Sequence, residues 1–401
     1  MKKIFALIFI SSLILFAEEN KFVSVNEKNI ITPDGKPILL RGINLGNWLV
    51  PEGYMFKFEK TNSPRLINQT FSELLGPDET KKFWNKFRDN YITKSDIAFI
   101  KKTGLNSIRV PFNYKLFVSE DHETKYDGPG FEMLDRVIKW SKEENLFVVL
   151  DMHCAPGGQT GDNIDDSFGY PFLFESDEAQ NLTIDIWQKI ASRYANETIV
   201  IGYDLLNEPI ATHFDASKFN DKLEPLYKRI VSAIREVDTN HIVFLGGAQW
   251  NNNFKVFGAP FDKKSVYTFH KYWSSTKQSE VDEYANFSNK YNVPIWMGES
   301  GENSDQWINE WRLLNEKNNF GWCFWPYKKM EATSNMVAIK KTAEWDSIIT
   351  YANKSRIGFD EIRKAKPERE IILKAFNDFL ENCKFENCSV NDGYIRALGL
   401  K

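Results

Sequence analysis

The chain has 401 residues, 42% of them hydrophobic and 14% aromatic, enough apolar side chain for one large α/β domain. Its formal net charge is −4 with acids and bases interspersed, which excludes a nucleic-acid footprint and a polybasic membrane patch. Four cysteines do not make a disulfide scaffold at this length, and no Cys/His spacing fits a structural zinc site.

At the N-terminus Lys2 and Lys3 precede an apolar run from Ile4 to Phe16, followed by Ala17 and the polar Glu18-Glu19-Asn20. That is the charged and apolar order of a secretory signal, and the run is too short to span a membrane comfortably. Leu15 stands where cleavage favours a small residue, so an uncleaved anchor is the alternative. No Cys follows the run, which argues against a lipoprotein. The expectation is a signal peptide at 1–17, a secreted protein (extracellular or periplasmic), and a single domain over 18–401. A monomer with no membrane contact after cleavage is expected. Export would permit Cys383 and Cys388 to close a small loop, while Cys154 and Cys323 read as buried thiols.

"FVSVNEKNIITPDGKPILL" reads as a hairpin turning at Pro33-Asp34-Gly35. Eight near-continuous apolar runs follow: 38–44, 106–110, 146–151, 199–207, 241–245, 265–270, 294–299 and 321–325. Such runs suit parallel strands covered on both faces. Amphipathic stretches lie between them, including "KSDIAFIKKTG" with Gly104 as a helix stop, "PGFEMLDRVIKWSKEEN", "EPLYKRIVSAIREVD" and "SDQWINEWRLLNEKNN". Eight strands alternating with helices predict an α/β fold, a (β/α)8 TIM barrel with the N-terminal β-hairpin against its lower end. The length exceeds the ~250 residues usual for this fold, so enlarged βα loops are expected after strands 1, 3 and 8.

Several of these runs end in reactive or hydrogen-bonding side chains. The second ends with Arg109, the third with Asp151 and His153, and the fourth with Asn207 and Glu208. The sixth ends with His270 and Tyr272, the seventh with Glu299 and the eighth with Trp325. In a barrel these ends converge on one mouth. Each has a plain alternative: Asn-Glu-Pro as a turn, Arg109 as a structural ion pair, His270 and Trp325 as core. Together they suit glycosidic cleavage, where one carboxyl donates a proton and a second, ionised one attacks. Arg109 beside Glu299 would favour its charged form, and a less compensated Glu208 would keep its proton. Tyr and Trp would give flat faces for sugar rings.

The motifs "GINLGNWL", "GLNSIRVPFNY", "DMHCAPGGQTGDN", "DLLNEP", "FHKYW", "WMGESG" and "GWCFWPYK" occur in this order. The set resembles glycoside hydrolase family 5, the cellulase-like retaining β-glycosidases, and most of all its exo-β-1,3-glucanase-like branch. The resemblance implies Glu208 as acid/base and Glu299 as nucleophile. It further implies Arg109 against the nucleophile, Asn207 on the sugar 2-hydroxyl, His153 as a sugar ligand, His270 and Tyr272 beside the two carboxyls, and Trp325 as a platform. It implies no cofactor and no metal, and a β-glucan polysaccharide or oligosaccharide as substrate. Cys154, "GDNIDDSFGYPFLF" and "WPYKKMEATS" depart from the exo-glucanase pattern in segments that shape subsites. β-Mannanase and glucosylceramidase-like activities therefore stay open. Two rivals are a metal-dependent hydrolase built on Asp151 and His153, although the chain has five His and no H-x-H pair, and a non-catalytic carbohydrate-binding barrel.

Overall fold

The computed structural model describes residues 21–118 and 126–401, so the expected signal segment lies outside the described residues. Three short strands open the fold: β1 (Ser24–Asn26), β2 (Asn29–Ile31) and β3 (Pro37–Ile38), paired antiparallel in that order. The Pro33-Asp34-Gly35 turn joins β2 to β3, with Gly35 at φ 78° and its N–H bonded to Thr32 O.

Eight parallel strands then close a barrel: β4 (Arg41–Asn44), β5 (Ser107–Asn113), β6 (Phe147–Cys154), β7 (Val200–Asp204), β8 (Ile242–Gly246), β9 (Ser265–His270), β10 (Ile295–Glu299) and β11 (Gly321–Phe324). Each pairs with its sequence neighbours, and β11 closes on β4. All eight expected runs are strands, which gives the (β/α)8 TIM barrel. Boundaries differ by up to three residues: β4 begins at Arg41 rather than 38, β5 and β6 run on to Asn113 and Cys154, and β7 stops at Asp204, not 207. Leu205 and Asn207 still donate their N–H groups to Phe244 O and Met152 O, so the chain leaves the barrel gradually.

Two apolar clusters hold the barrel. The larger fills the space between strands and helices. The smaller joins Val23 and Ile30 of the opening segment to Val149, Ile242, Val266 and Trp296 inside the barrel. The hairpin sheet thus seals the lower end, where apolar contact alone is needed.

The enlarged segments fall after β4, β6 and β11, as the length requires. The first is largely helical, with helices at Pro64–Leu75 and Pro77–Tyr91 before the Lys94–Lys102 helix. Prolines at the first helical position start both new helices, and Gly76 at φ 89° separates them. After β11, β12 (Lys328–Met330) and β13 (Val337–Ile339) pair in parallel, and β14 (Ser389–Val390) joins β13 antiparallel. All four cysteines are free, Cys383 and Cys388 included.

Candidate active site

The upper ends of the strands surround a cavity of about 620 Å³. Glu208, Glu299, His153, His270, Tyr272 and Trp325 all line it, so the ends of β6, β7, β9, β10 and β11 do converge. Trp250 and Trp273 also line it, whereas Trp322 is core.

Arg109 lies beneath, with no solvent exposure. Its Nε donates to Asp204 Oδ2 at 2.8 Å, Nη2 to Asn207 Oδ1 at 2.9 Å, and Nη1 to Asn44 Oδ1 at 3.1 Å and to Glu299 Oε1. Nη2 also sits 3.0 Å from Asp151 Oδ1. One cation therefore serves three buried carboxyls and two amides. Burial opposes the charge of Arg109, but Asp151, Asp204 and Glu299 more than offset it and keep the group protonated. The sequence reading gave Arg109 one partner, Glu299, and missed Asp204 and Asn44. Their signals were a lone Asp three residues before Asn207 and an Asn ending the first strand.

Glu299 reaches the cavity through a bulge. On β10 Met297 pairs with Phe269, yet Glu299 pairs with His270, so the register slips at Gly298. Bulges of this kind re-aim a side chain. Only glycine fits there, because a Cβ on Gly298 would stand 2.5 Å from Thr268 Oγ1 and 2.9 Å from His270 Nε2. Tyr272 Oη donates to Glu299 Oε2 at 3.1 Å. Burial, with Glu299 and Glu208 nearby, pushes the Tyr272 phenol far above its usual range, so it remains a donor.

Glu208 sits at φ 45°, in the left-handed region that non-glycine residues seldom occupy. The loop after β6 holds it there. Gln159 Nε2 donates to His153 O and Asn207 O, both at 2.8 Å, and Thr160 Oγ1 donates to Glu208 O at 2.8 Å. Ile210 and Ala211 return backbone bonds to Gln159 O and Thr160 O. The loop is itself closed by Asp165, whose buried carboxylate accepts from the N–H groups of Thr160, Gly161 and Ser167. Asp165 and the buried Asp166 are thus loop staples.

The nearest oxygens of Glu208 and Glu299 and a nitrogen of His270 all lie within 4.8 Å of one another. His270 Nδ1 is 2.9 Å from Glu208 Oε1. Burial lowers His270 well below its ordinary pKa, aided by Arg109 and His153, so the neutral ring can donate from Nδ1 to Glu208. Burial pushes Glu208 well above the usual carboxyl range, and the charge of Glu299 adds to this. Burial raises Glu299 too, but Arg109 and His153 pull it back. Arg109 and His153 thus favour the charged form of Glu299 against a burial that opposes it. Burial takes Asp151 and Asp204 up to about 7 each against the pull of Arg109, and takes His153 down to about 3.

His153 Nδ1 lies 2.8 Å from Asp151 Oδ2, and its Nε2 is 3.3 Å from Asn207 Nδ2. Its ring stacks on Trp325 at 5.6 Å and 10°. Trp325 Nε1 donates to Tyr54 Oη at 2.6 Å, which fixes the indole across the floor. Tyr54 and Glu52, from the segment after β4, are cavity residues that sequence did not single out. Asp151, His153 and Glu299 bring one ligand atom each within 4.8 Å, as do Glu208, His270 and Glu299. The guanidinium contacts Asp151 and Glu299 directly, so these sets carry their own cation.

The family model described as cellulase (glycosyl hydrolase family 5) matches residues 69–331. A β-xylosidase of Phanerodontia chrysosporium is 32% identical over 254 residues, 63% of this chain and 52% of that protein. Endoglucanase C of Acetivibrio thermocellus is 36% identical over 186 residues, 46% and 51% of the two chains. A probable glucan 1,3-β-glucosidase A of Aspergillus fumigatus is 30% identical over 210 residues, 52% and 49%. The chain spans about half the length of these relatives. With the family model covering well over half of the residues, the chain belongs to the cellulase family, glycosyl hydrolase family 5.

Proposed function

We propose that the protein is an exported, retaining β-glycosidase that cleaves β-1,3- or β-1,4-linked glucan chains or oligosaccharides. The observation that carries this reading is the meeting of Glu208 and Glu299 at one mouth, an oxygen of one within 4.8 Å of an oxygen of the other. Retaining enzymes hold their carboxyls ~5–5.5 Å apart, while inverting ones need ~6.5–9.5 Å to admit a water. Glu299, whose charged form Arg109 favours, attacks the anomeric carbon as Glu208 gives its proton to the departing oxygen. Glu208 then takes a proton from water, which displaces Glu299 and restores the β configuration. Asn207, with its oxygen held by Arg109, offers Nδ2 to the sugar 2-hydroxyl, and Trp325 forms the floor beneath the ring.

The names of the endoglucanase and glucan 1,3-β-glucosidase relatives support β-glucan. The β-xylosidase relative favours a second reading, a glycone without the C6 hydroxymethyl group. Laminarin, lichenan, carboxymethyl cellulose, mannan and aryl β-glycosides, assayed side by side, separate these. Tight oligosaccharide binding without hydrolysis of any would sink the enzyme reading. For the roles, Glu208→Ala should lose natural substrates more than activated aryl glycosides, and azide should restore turnover by forming a β-glycosyl azide. An α-azide would overturn retention. Export is tested by fractionation and N-terminal sequencing: protein confined to the cytoplasm would contradict export, and an intact residue 1–17 segment on exported protein would identify an uncleaved anchor instead of a cleaved signal.

A further inference from the structure

Phe168 belongs to the loop after β6, four residues beyond Ile164, which lines the cavity together with Asn163. Its ring is 68% exposed. A lone exposed ring needs no explanation in itself, but this one is held in place. The Arg65 guanidinium lies over one face, its Cζ 4.4 Å from the ring centre. With one face under the guanidinium, the exposure belongs mostly to the other. Arg65 Nε also donates to Ser167 O at 3.2 Å, which ties the cation to the residue just before the ring.

The backbone around the ring is fixed as well. Asp166 sits at φ 58° and Gly169 at φ 79°, so two left-handed residues bracket Phe168. The Asp166 carboxylate accepts from Arg65 N–H at 2.8 Å and from Asn113 Nδ2 at 3.2 Å, and Lys115 Nζ lies 2.7 Å from it. Ser167 N–H donates to Asp165, the staple of the same loop, at 3.0 Å. Ion pairs and a left-handed aspartate thus hold an apolar ring in water, where packing gives it little. Four residues of chain reach at most ~14 Å, so the open face stands within a short oligosaccharide of the cavity wall.

We propose that Phe168 is an outer sugar-binding platform, whose open face stacks on a pyranose unit of a β-glucan chain that is cleaved in the cavity. The occupant follows from chemistry and continuity. A pyranose presents an apolar face of C–H groups that matches a flat aromatic ring. The loop that carries the ring is also the loop that walls the cavity. A chain already held at the mouth presents its further units to the ring at high effective concentration, so a modest contact is enough. This rests on the glycosidase reading and deepens it: the site prefers a polymer over a short glycoside.

The test uses the full chain and two substrates: lichenan, a polymer with both β-1,3 and β-1,4 bonds, and 4-nitrophenyl β-D-glucoside, a single sugar unit. Phe168→Ala should lower the lichenan-to-glucoside ratio of kcat/KM about tenfold, and Phe168→Trp should restore it. Native gels cast with lichenan read binding without turnover, and there Phe168→Ala should be retarded less than wild type. A ratio unmoved within about twofold overturns the proposal, and so does an equal fall on both substrates, which would mark the ring as part of the loop's frame. A wild-type dimer that Phe168→Ala splits, with the ratio unmoved, would assign the ring to a second copy of the chain instead. Wild-type protein that cleaves the glucoside but neither cleaves nor binds lichenan removes this inference alone. Silence on both substrates removes the glycosidase reading; gel retardation that depends on Phe168 would then keep the platform, and its absence would remove both.

Discussion

The two ends of the barrel are built from the same strands and obey opposite rules. At the lower end Val149, Ile242, Val266 and Trp296 pack against Val23 and Ile30 of the hairpin sheet, with no charge among them. A few residues further along β5, β6, β7 and β10 stand Arg109, Asp151, Asp204 and Glu299, all buried. The lower layer lowers the free energy of folding through apolar area removed from water. The upper layer holds three carboxyls around one guanidinium, an arrangement whose desolvation opposes folding. The same ladder of hydrogen bonds thus carries stability at one end and chemistry at the other.

Substitutions at each end should separate the two quantities. The largest effect is expected for Glu299→Gln, with kcat lower by about four orders of magnitude and an unchanged circular dichroism spectrum. Near-wild-type turnover would remove Glu299 as the nucleophile. Ile242→Ala, in the lower cluster, should cost about 2–4 kcal/mol in urea unfolding, with kcat/KM of the folded protein unchanged within about twofold. A tenfold loss of kcat/KM there would break the division of labour.

Asp204→Asn should have the smallest effect and the most informative one. Burial raises the folded-state pKa of Asp204 to about 7, above the ~3.9 of an unfolded Asp. The folded protein therefore binds the proton more tightly, and the stability this group contributes is full below about pH 4 and lost as pH rises through about 7. His153, lowered to about 3, acts in the opposite sense and is common to both proteins. The Tm of wild type minus that of Asp204→Asn should thus decline between about pH 4 and 7. A flat difference curve would show that Asp204 stays ionised throughout.

How much could be read from the sequence follows the same division. The strands were legible because each is a short apolar run between amphipathic helices, a pattern that depends only on near neighbours. The members of the mouth were legible where a polar residue interrupts such a run, as at Arg109, Asn207 and Glu299. Their pairings were not. Asp204 and Asn44 meet Arg109 from strands 95 and 65 residues away in sequence, so closure of the barrel, not spacing, creates those contacts. The slip at Gly298 that turns Glu299 inward and the left-handed turn at Glu208 are backbone events with no side-chain periodicity to announce them. Loop polarity was equally ambiguous, since a buried Asp165 that closes a turn and a solvated aspartate read alike.

The staple between the loop after β6 and the Asn207-Glu208 turn ties two properties that would otherwise vary independently. Asn163 and Ile164 of that loop face the cavity, while Gln159 and Thr160 of the same loop grip the backbone of the proposed proton donor. Reshaping the loop to admit a different glycan therefore also shifts the donor. A transplanted loop must bring equivalents of Gln159, Thr160 and Asp165 with it. Without them, a new substrate range would come with a misplaced acid, so the loop can be redesigned only around a fixed three-residue frame.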